Sequence, residues 1–490
     1  MPEWLTCTIG AAYAHMENVL VAQWFLNRIR TRNTGRRTGD PQIIMKRQIL
    51  ILLVIISMIL AAKPAAAQGP APQRYIVQTT KGLQSVLSLC LSAGCQVQGA
   101  LDGVIGQTYL VTSSNGNFLT NLLNGVLTLV ERLLGIVSVE ADQLLTVPSV
   151  TVSSPASSLY NETPMNYYGT VVWTGYVNQP ATQIIELQNS QNTFHLTGTA
   201  IIADIDTGVD PTHPALFPVL LPGYDFTRNQ AGASEWLDIP SLQNGVNESN
   251  TQGEAPVVVQ QRTVAVLDQR TVAVLDGGPY SDFGHGTMTA GLIHLAAPTS
   301  KILPLKAFSA SGTGYLSNII AALYYAVQNN AKVVNMSFDF TTTSSAFSSA
   351  VSYANQQNII LVAAAGNSGV NTPVYPAAMD SYVMGIASTS DSDTISTWSN
   401  YGTPDVWIGA PGENVVSTYP GGTYASGSGT SFSCPLVTGT AALLLNANSS
   451  LNQAQAAKAL AHTQAPFTPS LNNGQLDTFM AILAWQQAAR

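Results

Sequence analysis

The sequence predicts an α/β domain built on a mostly parallel sheet flanked by helices, preceded by a small α+β module. Two patterns carry that expectation. From Thr199 onward, short apolar runs alternate with stretches of helical spacing, as in a parallel sheet covered on both faces. Between Arg74 and Glu140, short strands instead enclose two amphipathic helices. A chain of 490 residues has room for two or three folded units, and with 46% hydrophobic and 9% charged residues it is no disordered polyelectrolyte. A net charge of -8 without a long basic run argues against nucleic acid and anionic membranes as partners.

The elements follow in chain order. Met45-Lys46-Arg47, an apolar run over 49–62 and Ala65-Ala66-Ala67-Gln68 supply the basic start, short apolar stretch and Ala-x-Ala site of a secretory signal peptide over 45–67. The run is too short to span a bilayer comfortably, so the product is expected to be secreted, without a stable membrane anchor once the signal is cut. Translation beginning at Met45 would make residues 1–44 an upstream extension or a mis-assigned start; the alternative is an unusually long n-region. In the module over 74–147, residues 74–78, 109–112 and 136–140 read as strands, and 83–91 and 117–134 as helices. Cys90 and Cys95 are close enough for a small disulfide loop, which export would permit, or they stay as two thiols. Residues 148–198, rich in Ser, Thr and Tyr as far as Gln179, read as a linker and N-terminal arm.

The second domain spans 199–490, with strands expected over 199–205, 302–306, 333–336, 359–364 and 383–386, and helices over 316–328 and 344–356. An insertion over about 223–277 contains the octapeptide QRTVAVLD twice in succession, from Gln261 and from Gln269. Two copies are too few for a solenoid. The repeat reads as a surface insertion whose Val/Leu alternation can form an extra hairpin with an exposed edge.

Three segments carry chemistry. Ile205-Asp206-Thr207-Gly208 ends an apolar strand, and sites in open α/β sheets form outside the carboxyl ends of strands. Alone, it fits an ordinary turn or half of an aspartic protease, which would want a second such motif in an all-β setting. Gly284-His285-Gly286-Thr287 leaves open space around an imidazole at the start of a helix. Gly427-Ser428-Gly429-Thr430-Ser431-Phe432-Ser433-Cys434-Pro435 runs into an Ala/Leu helix. Pro435 is expected in the first turn, which places Ser431 at a helix N-terminus, where free N–H groups favour negative charge.

In the order Asp, His, Ser these segments resemble the subtilisin-like serine proteases, the subtilase family. Asn335-Met336-Ser337, Ala363-Ala364-Ala365-Gly366-Asn367, Tyr375-Pro376-Ala377, Ser399-Asn400-Tyr401-Gly402 and Ala410-Pro411-Gly412 add matches in the expected sequence. The resemblance implies a triad of Asp206, His285 and Ser431, with Asn367 as oxyanion donor, acting on polypeptides. It implies that Ser311, Gly312 and Thr313 form an edge that pairs with the substrate backbone, with Ser337 and Phe338 as the opposite wall. At 339 the family commonly has Gly; Asp339 reads as a rim residue facing water, the other reading being selection of a basic substrate side chain. The module over 74–147 resembles the family's propeptide, a folding chaperone and then a transient inhibitor, which implies self-cleavage between Thr146 and Tyr160. No cofactor is required and no metal ligand is assigned. Ala215 stands where a calcium-binding Asp is common, so the usual strong calcium site is expected to be absent, with a weaker one left open. The rival reading is a secreted adhesive module or pseudoenzyme, for which Met288, Asp339 and Leu436 are the departures. Against it, all four chemically necessary residues stand in glycine-rich settings.

Overall fold

The computed structural model describes residues 71–121, 134–147, 156–239, 264–266, 272–274, 280–461 and 471–488. The residues read as an upstream extension and signal peptide lie outside these, as do most of those expected to form the second helix of the N-terminal module and most of the expected insertion.

The larger sheet has eight strands in the order Gln230–Ala231, Tyr224–Asp225, Lys301–Lys306, Ile201–Asp206, Val333–Met336, Ile360–Ala364, Met384–Thr389 and Ile408–Pro411. All pairings are parallel except that of the edge strand Gln230–Ala231. The central strands are buried along their whole length, as covering both faces with helices requires. From Ile201–Asp206 the chain crosses through helix His285–Ala296 to Lys301–Lys306 on one side, then through helix Leu316–Gln328 to Val333–Met336 on the other. The strand order therefore reverses at the end that carries Asp206, which opens a crevice there.

Helix Thr430–Ala447 runs through the core on one face, buried from Thr430 to Leu445. Its start differs from expectation. Pro435 lies inside the helix, not in its first turn. A proline has no N–H for the carbonyl four residues back; that carbonyl belongs to Ser431, and the Ser337 hydroxyl donates to it instead at 2.9 Å. The residue predicted to mark the helix start thus leaves a carbonyl for the neighbouring strand end to hold.

The N-terminal module is a four-stranded antiparallel sheet in the order Gln96–Ala100, Thr108–Ser113, Gln73–Thr79, Ile136–Ala141. Helix Leu83–Ala93 packs Val86 and Leu89 against Tyr75 and Val77. Gly94 ends that helix with φ 76°, a left-handed turn that glycine adopts without strain. Cys90 and Cys95 are joined in a disulfide. The module sits against the larger domain through Leu144–Thr146, which pairs antiparallel with Thr313–Tyr315. Two carboxylates support this contact. Glu140 accepts from the Ser344 hydroxyl at 2.6 Å and from the Ala346 N–H at 3.1 Å, at the start of helix Ser345–Gln356. Asp142 accepts from the Ser317 N–H at 2.8 Å, at the start of helix Leu316–Gln328. Both place negative charge on first-turn helix N–H groups, which have no acceptor within the helix.

Residues 156–198, read from the sequence as linker and arm, are instead part of the folded domain. They form a hairpin of Pro164–Tyr167 with Thr170–Trp173, then helices Thr174–Val177, Pro180–Ile184 and Leu187–Phe194. Tyr176, Ile185 and Leu187 are fully buried. Their polar neighbours disguise this, because they are satisfied internally: the Tyr176 hydroxyl donates to Gly291 O at 2.6 Å, and Gln179 bonds both the N–H and the carbonyl of Val416 at 2.8 Å. The duplicated octapeptide forms the hairpin its alternation allows. Val264–Val266 pairs with Val272–Val274 and, on its other side, with Thr423–Gly427.

Candidate active site

Asp206 closes its strand at the crevice, and His285 opens the next helix. Their approach needs two bare glycines: a Cβ on Gly286 would lie 2.0 Å from Gly208 O. His285 Nδ1 stands 2.7 Å from Asp206 Oδ1, with both side chains 2% exposed, a separation that only a dry hydrogen bond between them explains. The Thr207 N–H donates to the same oxygen at 2.6 Å. Burial works against the imidazolium, but Asp206, followed by Asp282 and Asp204, outweighs it and raises the pKa of His285.

His285 Nε2 and Ser431 Oγ are both buried, and neither has a hydrogen-bond partner. The structure thus joins Asp206 to His285 and leaves Nε2 and the serine hydroxyl open, as unliganded sites often do before substrate tightens them. Ser431 is the second residue of its helix, so backbone N–H groups of the first turn point out beside its hydroxyl. Asn367 is held in place through its carbonyl, which accepts from the N–H and the hydroxyl of Thr430, each at 2.9 Å. That leaves its amide nitrogen turned toward Gly429. A Cβ on Gly429 would lie 3.0 Å from Ser431 Oγ and 3.3 Å from Asn367 Nδ2. Hydroxyl and amide therefore face one small space, kept open because residue 429 has no side chain.

Several residues that the motifs did not mark hold this arrangement. Asp204 is two positions before Asp206, on the same face of the strand. It accepts from Thr289 Oγ1 at 2.9 Å and from Asn335 Nδ2 at 2.8 Å. Burial, with Asp206 adding to it, pushes its carboxyl up to about 8. Glu235, fully buried, accepts from Thr207 Oγ1 at 2.6 Å, Gly286 N at 3.1 Å and Thr287 Oγ1 at 3.1 Å. It thereby cross-links the residues that follow Asp206 and His285. Lys306, also fully buried, donates to Thr207 O at 2.5 Å, Asp238 Oδ2 at 2.7 Å and Phe308 O at 2.8 Å. The spacing of Asp204 could have revealed it; Glu235 falls in the stretch assigned to the insertion, where nothing distinguishes it.

The expected substrate-binding residues divide. Gly312 O accepts from the Val147 N–H at 2.8 Å, and Thr313 pairs with Thr146, so this edge does receive an extended chain, here the protein's own. The Ser311 and Thr313 hydroxyls are 2.9 Å apart. Ser337 holds the Ser431 carbonyl. Phe338, expected as a wall, is buried against Phe308 with ring centroids 5.2 Å apart; its side chain belongs to the core, because the apolar face of the sheet claims it. Asp339, expected as a rim residue, is half-buried. A Cβ on Gly366 would lie 2.6 Å from its Oδ2.

Comparison with known proteins points the same way. The model of the Subtilase family matches residues 198–479. Thermitase of Thermoactinomyces vulgaris is 34% identical over 258 residues, covering 53% of this chain and 79% of thermitase. The thermophilic serine proteinase of Bacillus sp. (strain AK1) is 33% identical over 245 residues, 50% of this chain, and the match spans only 51% of that proteinase. Fervidolysin from Fervidobacterium pennivorans, a keratinolytic enzyme related to subtilisin, superposes with a TM-score of 0.62 at 20% identity, over 84% of this chain and 61% of its own. At that identity the likeness is one of fold.

Proposed function

The chain belongs to the subtilase family, and from that premise we propose that it is an exported serine endopeptidase that matures by cutting away its own N-terminal module. The observation that carries the reading is the dry Asp206–His285 hydrogen bond beside a space faced by Ser431 Oγ and Asn367 Nδ2. In that arrangement His285 Nε2 takes the proton of the Ser431 hydroxyl as the oxygen bonds to the substrate carbonyl carbon. Asp206 keeps the other ring nitrogen protonated and balances the charge that the ring acquires. The former carbonyl oxygen, now negative, receives donors from Asn367 Nδ2 and the Ser431 N–H. When the tetrahedral carbon collapses, His285 hands its proton to the departing amine, and an acyl ester remains on Ser431. Water, deprotonated by the same imidazole, then attacks the ester and restores the hydroxyl.

The pairing of Leu144–Thr146 with Thr313–Tyr315, and the anchoring of Glu140 and Asp142 on two helix starts, support a module that occupies the substrate edge as an inhibitor. Cleavage would fall between Thr146 and Tyr160. No cofactor enters these steps. Export rests on the sequence over 45–67.

Labelling with a phosphonofluoridate tests the assignment. The protein should take up one label, and Ser431→Ala should take up none while accumulating as the uncut chain. A wild-type chain that resists the reagent would leave a binding module on a protease scaffold.

A further inference from the structure

Two carboxylates, Asp339 beside Gly366 and Asp405 bonded to the Val374 N–H, are not used by the steps above. The carbon attacked by Ser431 is bonded to the Cα of the residue before the scissile bond. Two segments reach Ser431 here: Ser337-Phe338-Asp339, whose Ser337 hydroxyl donates to the Ser431 carbonyl at 2.9 Å, and Ala365-Gly366-Asn367, whose Asn367 amide nitrogen faces the same position as the Ser431 hydroxyl. These continue from the adjacent parallel strands Val333–Met336 and Ile360–Ala364. Phe338 is turned into the core, so Asp339 supplies the polar side chain of the first wall. Its Oδ2 lies beside Gly366, at a place where any Cβ would collide.

Asp405 stands behind it, fully buried. One of its oxygens accepts from the Val374 N–H at 3.0 Å, and the other, Oδ2, has no partner. Burial pushes both carboxyls up to about 6, and for Asp339 the neighbouring Asp405 adds to the effect. None of the ion pairs among the described residues includes either group. A buried carboxylate oxygen without a donor is costly, and a second negative charge beside it makes it more so. An ammonium or guanidinium entering between the segments would relieve both.

On the endopeptidase reading, we propose that Asp339 and Asp405 form the specificity pocket of this protease and select Lys or Arg as the residue before the cleaved bond. The cationic head completes the bonding of Asp405 Oδ2 and neutralises Asp339, while the aliphatic stem passes Gly366.

The test compares kcat/KM for peptides that differ only in Lys, Arg or Leu at that position, using protein matured from the full chain. Lys and Arg should exceed Leu by about 100-fold. Asp339→Asn and Asp405→Asn should each cut that ratio by about ten-fold or more. A variant that merely folds poorly lowers every rate and leaves the ratio unchanged, so the ratio isolates the pocket. Indifference of the wild type to the cation, or an unaltered ratio in both variants, overturns the proposal. If the phosphonofluoridate still labels Ser431 in that case, the endopeptidase reading survives; with neither labelling nor cleavage, both readings fall.

Discussion

The domain holds two groups of carboxylates, Asp204, Asp206 and Glu235 in one and Asp405 with the half-buried Asp339 in the other, and the chain treats them in opposite ways. Toward His285, Asp206 is bonded by the imidazole and the Thr207 N–H, Asp204 by Thr289 and Asn335, and Glu235 by three donors. Toward the pocket, Asp405 has one donor and a bare oxygen, and Asp339 lies against a glycine with Asp405 as its charged neighbour. The same functional group therefore does two jobs. A carboxylate saturated by the chain's own donors cannot move and fixes whatever it touches. One left short of donors keeps an oxygen on which a cation from outside can settle.

The largest effect is expected where a saturated carboxylate touches a reacting group. Asp206→Asn keeps the size but lets the side-chain amide donate to His285 Nδ1, which places the ring proton on the nitrogen that must accept from Ser431. kcat should fall about ten-thousand-fold with KM little changed. Steady-state rates on one peptide measure it, and a loss of less than ten-fold would remove Asp206 from the triad. Next comes Asn367→Ala, which empties the oxyanion space without touching either carboxylate group. A loss of roughly 100- to 1,000-fold in kcat is expected. An unchanged rate would take Asn367 out of the mechanism.

Glu235→Gln probes the saturated side without touching a reacting atom. The amide cannot accept from Thr207, Gly286 and Thr287 together, because half of it now donates. Stability should drop by about 2 kcal/mol, read from denaturant unfolding. kcat should drop roughly ten-fold through loosened His285 geometry. A variant as stable and as fast as the wild type would show that the three bonds are incidental.

How far the site could be read from the sequence follows the same division. Asp206, His285, Ser431 and Asn367 each stand next to a glycine or within two residues of one, and close backbone approach leaves that trace in the chain. The parallel strands were legible because they are apolar on both faces; Val333–Met336 and helix Leu316–Gln328 fall where their patterns place them. Residues 156–198 were not legible, since Gln179, Thr182 and Tyr176 look like linker residues until their buried partners are known. Glu235 and Asp405 were hidden for a related reason. A carboxylate that meets its donors, or lacks them, through tertiary contact has no local signature. Pro435 misled because the Ser431 carbonyl that its missing N–H leaves open is held by Ser337, 94 residues from Ser431 in sequence.

The smallest expected effect distinguishes the two sides most cleanly, because its sign reverses. Asp405→Asn retains an acceptor for the Val374 N–H and removes an uncompensated charge next to Asp339. Burial pushes both carboxyls up to about 6, above the ordinary aspartate range. An acid whose pKa is higher in the folded chain than in the unfolded one keeps its proton in the native state over the interval where the unfolded chain has already released it. Native stability therefore falls as pH rises from about 4 to about 6. Asp405→Asn removes one such group and lowers the pKa of the other, so that decline should flatten. Above that interval the variant should exceed the wild type by about 1 kcal/mol, whereas Glu235→Gln lies below it. Thermal unfolding of the two variants across this range, without substrate, measures both signs. An Asp405→Asn protein less stable than the wild type at neutral pH would mean that the bare oxygen already has a cationic partner, and the contrast between the two sides would disappear.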